Sequence, residues 1–287
     1  MALSSSGARV VLVTGASSGI GWECALRFAR LGDTVIGVAR HEPALRELAE
    51  EHPGIRVEVC DVTDADARVA LVGEVILRYG RIDVLVNNAG VGPLGYLHEL
   101  TAEDVERVYA TNVVAVADLT RLVLPDMRGR RGGAIVMLSS VAAWASIPPV
   151  TAYASSKFAL DGLIEGLRRE TWGTGVLVHS INPAPISTDY LARSGDRSPQ
   201  PGDAPRPAAP GFPASWVADA VVAAAAAPRP VTRSVPRIAG VVRLAQVPLV
   251  GAVLDQVFGR FGGLITGRVR ALVDEQTRGT SSIRRSA

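Results

Sequence analysis

Tyr153 and Lys157 are separated by Ala-Ser-Ser, and Ser140 lies thirteen residues before the tyrosine. On a helix, positions i and i+4 share a face. A free phenol has a pKa of about 10 and is a poor base near neutrality. A neighbouring ammonium favours the phenolate and lowers that value. Bringing it to neutrality takes about 4 kcal/mol of differential stabilisation. A phenol so tuned can exchange a proton with a substrate oxygen, and a serine hydroxyl such as Ser140 can orient that oxygen. Alone, the Tyr–Lys pair equally suits the surface of an amphipathic helix.

Thr14-Gly15-Ala16-Ser17-Ser18-Gly19-Ile20-Gly21 follows an apolar run and opens an amphipathic stretch. Glycines let such a turn come close to a pyrophosphate, and a helix N-terminus offers N–H groups and a positive dipole end. Any tight strand-to-helix turn also needs glycine, so the surrounding strand–turn–helix pattern carries the reading. Asp61-Val62 ends another apolar run. Its carboxylate can accept from an adenine amino group, or Asp61 or Thr63 can cap the next helix. In Asn87-Asn88-Ala89-Gly90 the small residues permit contact with a ribose and the amides can brace adjacent strands. The same residues suit a plain turn. Asn112 falls within a helical stretch, where asparagine is a poor helix former. Turned inward, it bends the helix or holds a water; turned outward, it is an ordinary polar residue.

Positioning these groups calls for short strands alternating with helices. The sequence predicts strands at Arg9–Val13, Thr34–Ala39, Ile55–Cys60, Asp83–Val86, Ala134–Leu138 and Val176–Ile181. It predicts helices at Gly19–Leu31, Ala44–Glu51, Asp64–Tyr79, Ala102–Leu124 (capped by Thr101, with Asp104 three residues on) and Ala154–Trp172. Nearly continuous apolar strands joined by helices imply a parallel sheet buried on both faces, with right-handed crossovers. Ligands then bind beyond the carboxyl ends of the strands, near the switch in strand order.

The texture changes after Tyr190. Six prolines lie between Ser194 and Ser215, marking a loop of the kind that forms lids. Ser215 is expected to cap a helix reaching Ala227, and Val231–Val235 is a candidate seventh strand. The expected organisation is one domain: a core over 8–190, a Pro-rich substrate loop over 191–215, and a helix, strand and helical extension over 216–287. In that extension Val241, Leu244, Val247 and Leu249 can form one face, with Arg237 and Arg243 elsewhere.

The 287 residues are 48% hydrophobic and 20% charged, which excludes disorder as the overall state. A net charge of +2 offers no basic field for nucleic acid. Two cysteines make neither a disulfide framework nor a zinc cluster, so no metal is expected. No stretch shows the roughly 18 uncharged apolar residues of a membrane span, and no signal segment is visible. A cytoplasmic setting is the expectation. Of 30 basic residues only Lys157 is a lysine.

In this order and spacing the motifs resemble the short-chain dehydrogenase/reductase family, in its TGxxxGIG subgroup, over about residues 8–190. The resemblance implies a Rossmann-type α/β fold with strand order 3-2-1-4-5-6-7 and an NAD(P)-dependent oxidoreductase acting on a small carbonyl or alcohol. It implies Tyr153 as general acid/base and Ser140 as the group orienting the substrate oxygen. Lys157 would hold the nicotinamide ribose and lower the tyrosine pKa, and Asn112 would position a relay water. Thr14, Gly15, Ser17, Ser18, Gly19, Ile20 and Gly21 would hold the pyrophosphate. Asp61, Val62 and Asn88-Ala89-Gly90 would line the adenine and ribose sites, and Pro183, Ile186 and Thr188 the nicotinamide carboxamide. Pro183-Ala184 replaces the family's usual Pro-Gly, a change that leaves backbone contacts in place.

NAD-preferring relatives end the second strand with an acidic residue that binds the ribose 2′-hydroxyl. Here the strand ends Val38-Ala39-Arg40-His41, and the Arg40 fork suits a 2′-phosphate. NADP(H) is therefore expected over NAD(H), with reduction of an apolar carbonyl compound near Leu94, Trp144 and Tyr190. A 3-oxoacyl-carrier-protein reductase is the alternative enzyme, disfavoured because Arg128, Arg130 and Arg131 precede the fifth strand. A cofactor-binding sensor or scaffold is the non-enzymatic alternative, disfavoured by the retained Tyr153, Lys157 and Ser140. A homodimer or homotetramer is expected. The extension is expected to pack on the domain rather than touch a lipid surface.

Overall fold

The computed structural model describes residues 7–187, 211–248, 250–253 and 256. Its strands are β1 (Val10–Thr14), β2 (Thr34–Ala39), β3 (Ile55–Val59), β4 (Val84–Asn87), β5 (Gly133–Leu138), β6 (Val176–Pro183), β7 (Ile186–Ser187), β8 (Phe212–Pro213) and β9 (Thr232–Val235). Its helices are α1 (Gly19–Arg30), α2 (Glu42–Glu51), α3 (Ala65–Tyr79), α4 (Ala102–Tyr109), α5 (Ala115–Gly129), α6 (Thr151–Glu170) and α7 (Ala214–Ala225). The seven-stranded sheet has the order β3-β2-β1-β4-β5-β6-β9, so the anticipated seventh strand closes it. β6 pairs in parallel with β9, as β1 does with both β2 and β4.

The period-2 alternation of the strands divides the core. Val11 and Val13 face a cluster with Phe28 of α1, Leu45 of α2 and Val221 of α7. Val10 and Leu12 face the other cluster, with Leu71 of α3, Leu119 of α5 and Leu160 of α6. All five residues of β1 are buried, which is why Val10–Val13 is an unbroken apolar run.

Several boundaries differ from expectation for identifiable reasons. α3 is capped by Asp64, which accepts from the N–H groups of Asp66 and Ala67, and not by Asp61 or Thr63. The Thr101–Asp104 capping box opens α4. The long helix then passes through a π-helical turn, Ala110–Val114, and runs to Gly129, past the expected end at Leu124. Pro125 does not stop it, because Val123 and Met127 are anchored in the core on either side. α6 starts at Thr151, three residues earlier than expected, so Tyr153 sits in its first turn. α7 follows Pro213 directly, without a cap from Ser215.

The segment Ala102–Gly129 is long and apolar enough, by length and composition alone, to cross a membrane. Its buried Leu119, Val123 and Met127 and the Arg68–Asp118 ion pair (2.7 Å) make it a core helix. The described part of the extension packs partly on the domain, with the Gln246 amide 3.5 Å from the Ala143 carbonyl. Arg237–Gln246 is a 3₁₀ helix with no buried residue, and Ile238, Val241, Leu244 and Val247 recur every third position on an exposed stripe. Leu249 lies outside the described residues.

Candidate active site

The sheet order reverses between β1 and β4, and the predicted residues gather at the carboxyl ends of these strands. The Thr14 hydroxyl, 1% exposed, donates to the Val86 carbonyl and accepts from the N–H groups of Asn88 and Ala89 (both 3.0 Å). The Asn88 amide donates to the carbonyls of Thr14 (2.9 Å) and Gly15 (3.2 Å). The Asn-Asn-Ala-Gly run thus braces the glycine turn, as one reading of its amides allows. Asn87 is buried and donates to Thr120 of α5.

Gly15 has φ +68° and Gly19 φ +55°, a left-handed conformation that costs glycine little. At Gly21 the requirement is close approach: a Cβ would lie 2.2 Å from the Gly15 carbonyl oxygen. The turn is thereby drawn tightly over the start of α1, whose first turn carries no acidic residue. Ser17, Ser18, Gly19 and Ile20 are partly exposed around it. A dinucleotide pyrophosphate suits this cradle, because the glycines draw the backbone tightly to the start of α1, where free N–H groups and the helix dipole favour an anion.

Asp61 and Arg40 stand together along the edge of this crevice, after β3 and β2. Asp61 accepts from the Thr63 N–H (2.9 Å) and hydroxyl (2.8 Å), and Arg40 Nη1 lies 3.6 Å from its Oδ2. Burial opposes ionisation of Asp61, but the Thr63 and Arg40 contacts outweigh it and hold the carboxyl below its ordinary range. Val62 is buried, and its carbonyl accepts from Arg68 (2.7 Å).

The catalytic candidates converge from β5, α6 and the π-helical turn. Lys157 is 5% exposed and donates to the Leu138 carbonyl at 2.8 Å, with Nζ 5.6 Å from the Tyr153 ring centroid. Burial pushes its ammonium down to about 8, opposed by the charge of Asp161. Tyr153 is half-buried one turn earlier on the same helix. Ser140, 8% exposed, accepts from the Ala142 N–H (3.1 Å) and sits 3.5 Å from the Pro183 carbonyl at the end of β6. Asn112 is fully buried and turned inward. It donates to the Val91 carbonyl and accepts from the Val91 N–H (both 2.8 Å), and donates to Ser156 (2.9 Å). The π-helical turn that carries it is the bend expected of an inward asparagine. A Cβ on Gly90 would lie 3.3 Å from Asn112 Oδ1 and 3.8 Å from Lys157 Nζ, so this glycine keeps the approach to the lysine open.

Other predicted residues are less central. Leu94 is half-buried, and Ile186 forms β7 against Phe212. Trp144 is only 4% exposed, and its indole donates to Asp161 Oδ2 (3.0 Å). Thr188, Tyr190 and most of the Pro-rich loop lie outside the described residues. The sequence motifs do not single out Ser139, Ser156 or Asp161. The i+4 spacing of Asp161 from Lys157 is the available signal for the last.

Comparison with known proteins agrees with this geometry. The short chain dehydrogenase family profile matches residues 9–198. A short chain dehydrogenase of Pseudocercospora fijiensis is 40% identical over 194 residues, 64% of this chain and 62% of that one. The 3-oxoacyl-[acyl-carrier-protein] reductase FabG of Thermotoga maritima is 38% identical over 63% of this chain and 75% of its own. Among solved structures, a metagenomic short-chain oxidoreductase in complex with NADP is 29% identical (TM-score 0.68), with 80% of this chain and 99% of that one covered. A Burkholderia phymatum short chain dehydrogenase/reductase in complex with NAD is 27% identical (TM-score 0.76), covering 85% and 94%. The sheet order agrees with the profile match, and this chain belongs to the short chain dehydrogenase family.

Proposed function

We propose that the chain is an NADP(H)-dependent carbonyl reductase that converts an apolar ketone or aldehyde to an alcohol. The observation that carries this reading is the convergence of Lys157, Tyr153 and Ser140 at the carboxyl end of β5, beside the cradle of Gly15, Gly19 and Gly21. The bound nicotinamide would supply a hydride to the carbonyl carbon. Ser140 orients the carbonyl oxygen, and Tyr153 donates the proton that completes the alcohol. Lys157 holds the ribose and keeps the phenol acidic. Asn112 and the π-helical turn position the water through which the proton is replenished. Thr14, Ser17, Ser18, Ile20 and Gly21 hold the pyrophosphate side, Asp61, Val62, Asn88, Ala89 and Gly90 the adenosine, and Pro183, Ile186 and Thr188 the carboxamide.

Arg40 supports the choice of NADP(H). Its side chain is 61% exposed, among the described residues makes the long 3.6 Å contact to Asp61, and is available to a 2′-phosphate. The Thermotoga relative keeps a carrier-protein substrate as the second reading. Against it, Arg130 is engaged by Asp126, Asp83 and the Ile82 carbonyl, and it precedes β5, away from the strand ends that form the site. The outer faces of the π-helical turn and α6, where Val114 and Phe158 are exposed, support pairing of two copies there; a groove of about 580 Å³ lies between α5 and α6. We place the enzyme in the cytoplasm.

The test is NADPH oxidation followed with ketones, aldehydes, steroids and acyl thioesters, repeated with NADH. Turnover is expected with NADPH and apolar carbonyls. Arg40→Ala is expected to raise the NADPH KM at least about tenfold, the effect of a lost charge-assisted contact, while leaving the NADH KM unchanged. An unchanged NADPH KM, or an initial preference for NADH, contradicts the cofactor choice. Turnover confined to acyl thioesters would favour the carrier-protein reading.

A further inference from the structure

Ser140 lies on a short segment that is held from both sides by one carboxylate. Asp161, one turn after Lys157 on α6, accepts from the Ser139 hydroxyl at Oδ1 (2.8 Å) and from the Trp144 indole at Oδ2 (3.0 Å). These two donors bracket Ser140 in the chain. Between them the backbone turns through the 3₁₀ helix Val141–Ala143, closed by the Ala143 N–H to the Ser140 carbonyl and by the Trp144 N–H to the Val141 carbonyl. Ser139 and Trp144 are each 4% exposed, so an unanswered donor there would be costly. An indole can only donate, which makes an acceptor opposite Trp144 obligatory.

The C-terminal extension meets the same segment. The Arg243 guanidinium lies 5.7 Å from the centroid of the Trp144 ring, within cation–π reach. The Gln246 amide lies 3.5 Å from the Ala143 carbonyl. Thus the 3₁₀ helix Arg237–Gln246 contacts the body of the protein at the turn that follows Ser140.

We infer that Asp161 is a positioning residue that fixes the carbonyl-orienting Ser140 through Ser139 and Trp144, and that Arg243 makes the C-terminal extension part of that support. Asp161 touches neither substrate nor cofactor in this role; it acts by holding the segment that does. The inference rests on the reading of Ser140 as the substrate-orienting group. It extends that reading by giving the extension a function in the geometry of the site. A displacement of Ser140 of the order of 1 Å suffices to lower turnover by about 10²-fold.

The experiment compares Asp161→Ala, Asp161→Asn and Arg243→Ala by kcat, NADPH Kd and amide hydrogen exchange. Asp161→Ala is expected to lower kcat by about 10- to 100-fold, leave the NADPH Kd within about twofold, and speed exchange over residues 139–145. Asparagine can accept from Trp144 and donate to Ser139, so Asp161→Asn is expected to restore slow exchange and most of kcat. Arg243→Ala is expected to speed exchange over the same residues and lower kcat severalfold. The role of Asp161 is overturned if Asp161→Ala folds with wild-type kcat, or if exchange rises throughout the domain rather than over that segment. It is also overturned if Asp161→Asn is as impaired as Asp161→Ala. Wild-type exchange and kcat in Arg243→Ala would remove the extension from the proposal. The exchange measurements need no substrate. A wild-type protein without carbonyl turnover would therefore refute the carbonyl-reductase reading separately, while local loosening in Asp161→Ala would still report the clamp.

Discussion

Tyr153→Phe is expected to lower kcat for carbonyl reduction by about 10²- to 10⁴-fold, the contribution of a positioned general acid, while NADPH binding is retained. The substitution removes one oxygen from a half-buried ring in the first turn of α6 and leaves the ring in place. Lys157 keeps its bond to the Leu138 carbonyl, and the glycine cradle is untouched. The loss should thus fall on kcat and not on the cofactor Kd. In free-energy terms it is about 3–5 kcal/mol of transition-state stabilisation. Equal turnover by Tyr153→Phe and the wild type, measured by NADPH consumption at saturating carbonyl, would mean that another group supplies the proton.

Lys157→Arg is expected to cost about 10²-fold or more in kcat although it preserves the positive charge. Lys157 is 5% exposed, fixed on the Leu138 carbonyl, and faces the gap left by Gly90. A guanidinium is larger and planar and carries its donors in a rigid fork, so it cannot take the place of a compact ammonium there. Overpacking of this kind costs about 1–3 kcal/mol of stability, which a melting curve would register alongside the kinetics. The wild-type lysine adds a pH signature. Burial lowers its folded-state pKa from the ordinary value of 10.5 to about 8, so the folded protein loses the ammonium before the unfolded chain does. The contribution of this group to stability therefore increases with pH between these values, because the unfolded chain binds the extra proton. The ammonium needed for activity is lost as pH rises through the lower of them. Reduction is expected to decline above pH of about 8, while burial of this side chain becomes less costly to the fold.

Much of this arrangement is legible in the sequence. The parallel order of the sheet follows from apolar runs separated by amphipathic stretches, since strands buried on both faces leave no other pattern. The glycine turn is legible because close approach excludes every other side chain, as the 2.2 Å distance at Gly21 shows. Spacing places Tyr153 and Lys157 on one face, and their helix begins early enough for both to reach the end of β5. What spacing does not encode is tertiary partnership. Local sequence leaves Asp61 open between adenine and cap, and only the fold reveals Asp64 as the cap and Arg40 beside Asp61. An aromatic residue near Ser140 suits a substrate wall, which is the role the sequence suggests for Trp144. Its indole N–H also meets a carboxylate seventeen positions later, a pairing that no local periodicity encodes. The extension departs from expectation for a related reason. Val241, Leu244, Val247 and Leu249 suggest one packed face, but packing requires a partner surface, and among the described residues Val241, Leu244 and Val247 are exposed.

In a chain that otherwise uses arginine for every basic position, the one ammonium stands at the centre of the site. The most direct test of hydride transfer assisted by this cluster uses NADPH deuterated at the nicotinamide C4 position and an apolar ketone. Deuterium is expected on the carbinol carbon of the product with the wild-type chain, and little product with Tyr153→Phe. Alcohol formed without deuterium at that carbon from either labelled face, or NADPH bound with no carbonyl reduced, would contradict assisted hydride transfer at this site.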